Sequence, residues 1–258
     1  MLGLKIIATS DAHLPIGEAD LITAVEKGCR ENTSTDLLIL AGDMVERGRI
    51  EFYSKAWEIL RKCEPMNVVA TFGNDEYDEL REKIREEYTW ANWLDDSTLT
   101  IETSSPKMMI FGTTGILDVP TRWQRKNIPN IEKKYEERLR KFEHFLNTSF
   151  SGIKIAVFHY PPTYKTLHGE PSYAWPEMGS IKAEELIRKL DSLELVIHGH
   201  AHRSKVLHAK IASAEVFNVA LPARKSLFIY EIRTKKTLFD FYKNFNMKSS
   251  ATNGENWL

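Results

Sequence analysis

Five short apolar runs in this chain end the same way, in aspartate, asparagine or histidine. Leu4 to Thr9 leads into Ser10-Asp11-Ala12-His13, Leu37 to Ala41 into Gly42-Asp43, and Asn67 to Thr71, through Phe72, into Gly73-Asn74-Asp75-Glu76. Ile153 to Phe158 runs into His159-Tyr160-Pro161-Pro162, and Leu193 to Ile197 into His198-Gly199-His200-Ala201-His202. Apolar runs of this length, bounded by turn-forming residues, read as buried strands. Between the first three lie helical patterns, Glu18 to Arg30 and Phe52 to Arg61. Strand, helix, strand, helix, strand at this spacing predicts parallel strands joined by right-handed crossovers. In such sheets ligands bind in the crevice outside the carboxyl ends of the strands. The five loops should therefore converge on one rim.

The rest of the chain is less regular. Glu76 to Glu87 reads as helix, and Thr98 to Glu102 with Lys107 to Phe111 as two strands about a Ser104-Ser105-Pro106 turn. A polar loop, Asp118 to Asn130, precedes a charged helix over Ile131 to Leu146. Pro161 to Gly179 holds four prolines, too many for regular structure, and reads as one long loop. Ile181 to Leu190 is helical. Lys205 to Phe241 alternates without helical patterns, which suits an antiparallel meander. The organisation expected is a single domain over 1–243 and a loose polar tail over 244–258.

Composition excludes some classes. Lys plus Arg is 35 against 36 acids, a net charge of −1, which argues against a nucleic-acid partner. No apolar run approaches the roughly 20 residues of a membrane helix, so no membrane partner is expected. The two cysteines, Cys29 and Cys63, cannot build a disulfide framework, which points to a reducing, cytoplasmic setting. The sequence carries no signal for oligomeric state.

The five loops bring together two aspartates, one asparagine and four histidines: Asp11, His13, Asp43, Asn74, His159, His200 and His202. Hard oxygens with borderline imidazoles suit Mn, Fe or Zn. Seven ligands are too many for one ion and about right for two if one carboxylate is shared. Gly42, Gly73 and Gly199 would let the backbone turn where a Cβ would obstruct. Each motif alone has an ordinary reading. Asp-x-His is a helix cap with an incidental His, and Gly-Asp or Gly-Asn-Asp is a turn. All five at strand ends are hard to ascribe to coincidence.

The order Asp-x-His, Gly-Asp, Gly-Asn-x-[Asp/Glu], His, Gly-His-x-His, from Asp11 to His202, resembles that of the calcineurin-like metallophosphoesterases. The resemblance implies an α/β fold, a four-layer α/β/β/α sandwich of two mixed sheets. It implies that Asp11, His13 and His202 hold one divalent ion, that Asn74, His159 and His200 hold the other, and that Asp43 bridges both. It implies hydrolysis of a phosphate-ester substrate by hydroxide held between the ions; loss of the family's usual acid, at Asp75, slightly favours phosphodiesters over monoesters. A non-catalytic metal-binding or scaffold protein with the same fold, and a DNA nuclease of the same superfamily, are the alternative readings. One position departs from the family pattern: Asp75 stands where the family usually has a His that stabilises the transition state or protonates the leaving group. His168, in the proline-rich loop, is the candidate replacement for that acid. Thr121 to Lys126, three cations beside Trp123, could hold a phosphate or a nucleobase, and Tyr164 to Trp175 could form a lid.

Overall fold

Strands whose both faces are covered carry near-continuous apolar sequence, and the first three strands do so here, interrupted in β1 by Lys5. In a computed structural model describing residues 3–29, 34–102 and 106–233, the chain runs β1 (Gly3–Thr9), α1 (Glu18–Gly28), β2 (Leu37–Ala41), α2 (Tyr53–Leu60), β3 (Val68–Thr71), α3 (Arg81–Glu87) and β4 (Asn92–Leu94). β1 to β4 lie parallel, in that order. The second half adds β5 (Ser97–Ile101), β6 (Met108–Thr113), α4 (Arg122–Asn127), α5 (Ile131–Asn147), β7 (Ile153–Phe158), α6 (Ile181–Leu190) and β8 (Leu195–His198). It closes with β9 (His208–Ile211), β10 (Ala214–Asn218), α7 (Leu221–Arg224) and β11 (Phe228–Arg233). The second sheet is ordered β5-β6-β7-β8-β10-β9, with β5 and β9 antiparallel at its two edges.

Successive side chains of a strand point to opposite faces, and here that alternation builds four layers. Ile6 and Ala8 of β1, with Ile39 of β2, meet Ile155, Val157 and Ile197 of the second sheet in the central core. Ile7, Leu38 and Leu40 face the other way, onto Leu21 and Val25 of α1 and Tyr53 and Leu60 of α2. On the far side, Phe111, Phe158 and Val196 pack against Phe142 and Phe145 of α5 and Ile187 of α6. The result is the expected α/β/β/α sandwich of two mixed sheets.

Several expectations need correction. The C-terminal strands are not one meander. β9 and β10 extend the second sheet, β10 parallel to β8, while β11 crosses to pair antiparallel with β1 in the first. The crossing is made by α7, entered as Leu221 N–H bonds the Ser10 carbonyl beyond β1; alternation in a sequence cannot say which sheet receives a strand. The polar loop before α5 contains α4, started by a reciprocal cap between Thr121 and Gln124. The proline-rich segment includes a 3₁₀ stretch, Ser172–Glu177. Glu76 lies before α3, not in it, because its carboxylate is engaged elsewhere.

Cys29 and Cys63 are joined in a disulfide. They follow α1 and α2, which pack side by side and bring the two Cα atoms to 5.0 Å across 34 residues of sequence. The argument from unpaired cysteines to a reducing compartment therefore falls. No helix among the described residues is long and apolar enough to cross a membrane. The 104–105 turn, the strand expected beyond 233 and the 243/244 boundary lie outside the described residues.

Candidate metal centre

Five loops leave the carboxyl ends of β1, β2, β3, β7 and β8, the first three from one sheet and the last two from the other. They are stitched to each other as well as to their strands. Asp11 N–H bonds the Gly42 carbonyl at 3.0 Å, His13 N–H the Asp43 carbonyl at 3.1 Å, and Gly199 N–H the His159 carbonyl at 3.1 Å. Contacts also cross between the sheets: His200 N–H donates to Asp11 Oδ2 at 2.9 Å, and His159 Nδ1 to the Ala41 carbonyl at 3.0 Å.

The turns that aim these side chains are unusual. Asp11, His13, Asp43 and His200 have φ of 56°, 44°, 50° and 67°, a region that non-glycine residues visit at a cost of order 1–3 kcal/mol each and chiefly at functional sites. The glycines beside them are required by proximity. A Cβ on Gly73 would stand 2.0 Å from Asp43 Oδ1, and one on Gly199 would stand 2.5 Å from Asp11 Oδ2.

The side chains form three overlapping groups with ligand atoms within 4.8 Å of one another, Asp11 with His13 and His202, Asp43 with His159 and His200, and His13 with Asp43 and Asp75. His202 Nε2 lies 2.9 Å from Asp11 Oδ1. His159 Nε2 lies 3.1 Å from Asn74 Oδ1 and 3.3 Å from Asp43 Oδ2. The structure thus brings together all seven residues singled out in the sequence. His168 stays apart. It is exposed, its ring packs on Trp175 at 4.9 Å between centroids, and its carbonyl accepts from Lys205 N–H. The Thr121 to Lys126 segment exposes Trp123 to solvent, while its Gln124 bonds the hydroxyl of Tyr160, a ring packed edge-on against His200. Tyr164 is pinned by its hydroxyl to Asp118.

The donors fit divalent cations. His13 Nε2 is buried and has no hydrogen-bond partner, while its Nδ1 is bonded to Asp75 at 3.2 Å. A ring held at one nitrogen and left open at the other is the arrangement of a metal-ligating histidine. His159 follows the same rule, with Nδ1 on a carbonyl and Nε2 facing Asn74 and Asp43.

Protons take up part of the demand for positive charge. Burial disfavours charge on His159, yet the charge and hydrogen bond of Asp43, then Asp11, push its ring up to about 10. Burial likewise opposes charge on His13, but Asp75, Asp43 and Asp11 push it up to about 9. Burial and the charge on His159 push His200 down to about 3. Burial alone would raise the Asp11 carboxyl; the bond from His202, the charges of His159 and His202 and the Ser10 hydroxyl hold it far below its ordinary value. The pocket attracts cations, and protonated imidazoles occupy the place of some.

One residue of the site was not singled out from the sequence. The fully buried Glu76 carboxylate accepts from Asp43 N–H at 2.8 Å, Gly73 N–H at 2.7 Å, Met44 N–H at 3.0 Å and the Tyr53 hydroxyl at 2.6 Å. It ties the loop bearing Asp43 to the loop bearing Asn74. Its signal was the acidic last position of Gly-Asn-x-[Asp/Glu].

A protein family described as calcineurin-like phosphoesterase matches residues 4–204. Comparison with curated proteins finds no match. Among solved structures, the chain is similar to phosphopantetheinyl hydrolase from Mycobacterium tuberculosis, with TM-score 0.57 and 14% identity over 87% of this chain and 92% of that one. It is similar to the protein TT1561 of Thermus thermophilus, at 0.54 and 16% over 90% and 100%. It is also similar to GAP50, described as the anchor in the inner membrane complex of Plasmodium, at 0.56 and 10% over 90% and 81%. At these identities the likeness is one of fold.

Proposed function

The chain belongs to the calcineurin-like phosphoesterase family, and we propose that it hydrolyses phosphate esters with two divalent ions, phosphodiesters in preference to monoesters. The observation that carries this reading is His13 Nε2, buried and unpartnered within a ring of carboxylate and imidazole donors. Asp11, His13 and His202 would hold one ion, Asn74, His159 and His200 the other, and Asp43 both. Two such ions supply a nucleophile at neutral pH and neutralise charge on the phosphoryl group.

The chain's own residues do the rest. Ser10 and His200 N–H fix Asp11 Oδ2, leaving Oδ1 toward His202. Glu76 and the Asp75 N–H, which bonds Asp43 Oδ1 at 2.8 Å, fix Asp43. The residue at the position where the family usually has His does not supply an acid. Asp75 is engaged with His13, and its carboxyl lies below its ordinary value because the bonds from His13, the Arg47 N–H and Asn74 outweigh burial. General acid help is typically worth ~10²–10⁴-fold, so esters whose leaving group needs no proton suffer least from its loss. Supplied with Mn²⁺, the protein should turn over aryl phosphodiesters faster than alkyl phosphomonoesters; the reverse order would contradict the preference. Absence of bound metal from the purified, Mn²⁺-incubated chain would favour the scaffold reading.

A further inference from the structure

We propose that Asp75 is a positioning residue for both ion sites: its carboxylate orients His13 in one ligand group and Asn74 in the other. The inference rests on the metal reading of the site.

Asp75 lies within ligand spacing of His13 and Asp43, but both of its carboxylate oxygens are already engaged by donors of the protein. Oδ2 accepts from His13 Nδ1 and from Arg47 N–H, each at 3.2 Å. Oδ1 accepts from Asn74 Nδ2 at 3.2 Å, which fixes the amide so that its own oxygen faces His159 Nε2. The backbone N–H takes Asp43 Oδ1. One residue thus reaches the three ligands His13, Asn74 and Asp43, drawn from three different loops.

The two side-chain contacts have specific chemical effects. An acceptor at His13 Nδ1 keeps a proton on that nitrogen, so Nε2, the atom without a hydrogen-bond partner, is the one that presents a lone pair once the ring gives up a proton to an ion. The bond to Asn74 Nδ2 settles which end of the amide is oxygen, the end a hard cation needs. A histidine at position 75 could accept through only one neutral ring nitrogen and so could not serve both neighbours. In this chain the residue that departs from the family pattern tightens the ligands at the expense of an acid.

The test is Zn²⁺ binding to the full chain, by competition with a chromophoric chelator, for the wild type, D75A, D75N and D75H. Each variant's fold is checked by circular dichroism, and ring nitrogen spectra are recorded for His13. Removing an outer partner of a metal ligand typically costs ~10–100-fold in affinity, and D75A and D75H should lose that much. D75N keeps the shape and should lose less, and it serves should D75A fail to fold. In the Zn²⁺-loaded wild type the His13 spectrum should show a protonated Nδ1 protected from exchange, and in D75A that protection should vanish. Unchanged affinity and an unchanged His13 spectrum in the folded variants would overturn the inference while leaving the metal site intact. A wild type that takes up no Zn²⁺ would overturn the metal reading and this inference with it.

Discussion

At the scale of single residues, the side chains of the site have different tasks, and their removal should be distinguishable. If Asp43 serves both ions, D43N should empty both sites, whereas D11N should empty mainly the one it shares with His13 and His202; metal analysis of both variants checks this, and equal loss from the two would contradict the bridge. Protonation gives a second prediction. The folded pKa values of His13 and His159 are raised above the ordinary 6.5, to about 9 and about 10. The stability they give the metal-free fold is therefore complete below pH 6.5 and lost as pH rises through 9 to 10. Melting temperature of the metal-free chain should fall across that range, and that of the loaded chain should hold. At pH 7 loading should release about two protons per chain, measurable by calorimetry in buffers of different ionisation heat; no release would mean that the imidazoles are already neutral. All seven clustered residues were legible in the sequence because each lies at or just beyond the end of a buried strand. What Asp75 and Glu76 do was not legible, since it depends on which atoms of other loops lie within about 3 Å. The lone glutamine, Gln124, gave no hint of its buried place between Thr121 and Tyr160.

At the scale of elements, the parallel strands and their helices followed from apolar runs and periodicity, with bounds near those observed: α6 matches its expected range, and α5 ends one residue later. Short elements escaped. α4 is six residues with a cap of its own; β11 lies within the alternating stretch expected to form strands, but its partner, β1 at the other end of the chain, was not foreseen. Lys154 shows how a strand's polar exception can serve a helix. It sits in β7, buried, and its ammonium donates to the carbonyls of Phe145 at 2.7 Å, Leu146 at 2.8 Å and Thr148 at 3.1 Å at the end of α5. Orphan carbonyls at a helix end need such partners. K154M should destabilise the protein by about 2–4 kcal/mol in chemical unfolding, with metal content unchanged; a loss under about 0.5 kcal/mol, the scatter of surface changes, would show that solvent can take the lysine's place.

For the whole molecule, the disulfide was hidden for a plain reason: two cysteines 34 residues apart say nothing of α1 and α2 lying side by side. Closing a loop of that length stabilises the fold by about 3–4 kcal/mol in the chain-entropy account. The C29A/C63A double variant should lose an amount of that order, and thiol titration of the unreduced, unfolded chain should find none free. The two sheets matter to function for another reason. Asp11, His13, Asp43 and Asn74 come from one and His159, His200 and His202 from the other, so the sheets must be packed before either ligand group is complete.

The most direct measurement is anomalous scattering from crystals of the full chain soaked in Mn²⁺. Two manganese peaks about 3.5–4 Å apart are expected, one among Asp11, His13 and His202, the other among Asn74, His159 and His200, with Asp43 between them. A single peak, or none within reach of these side chains, would contradict the account.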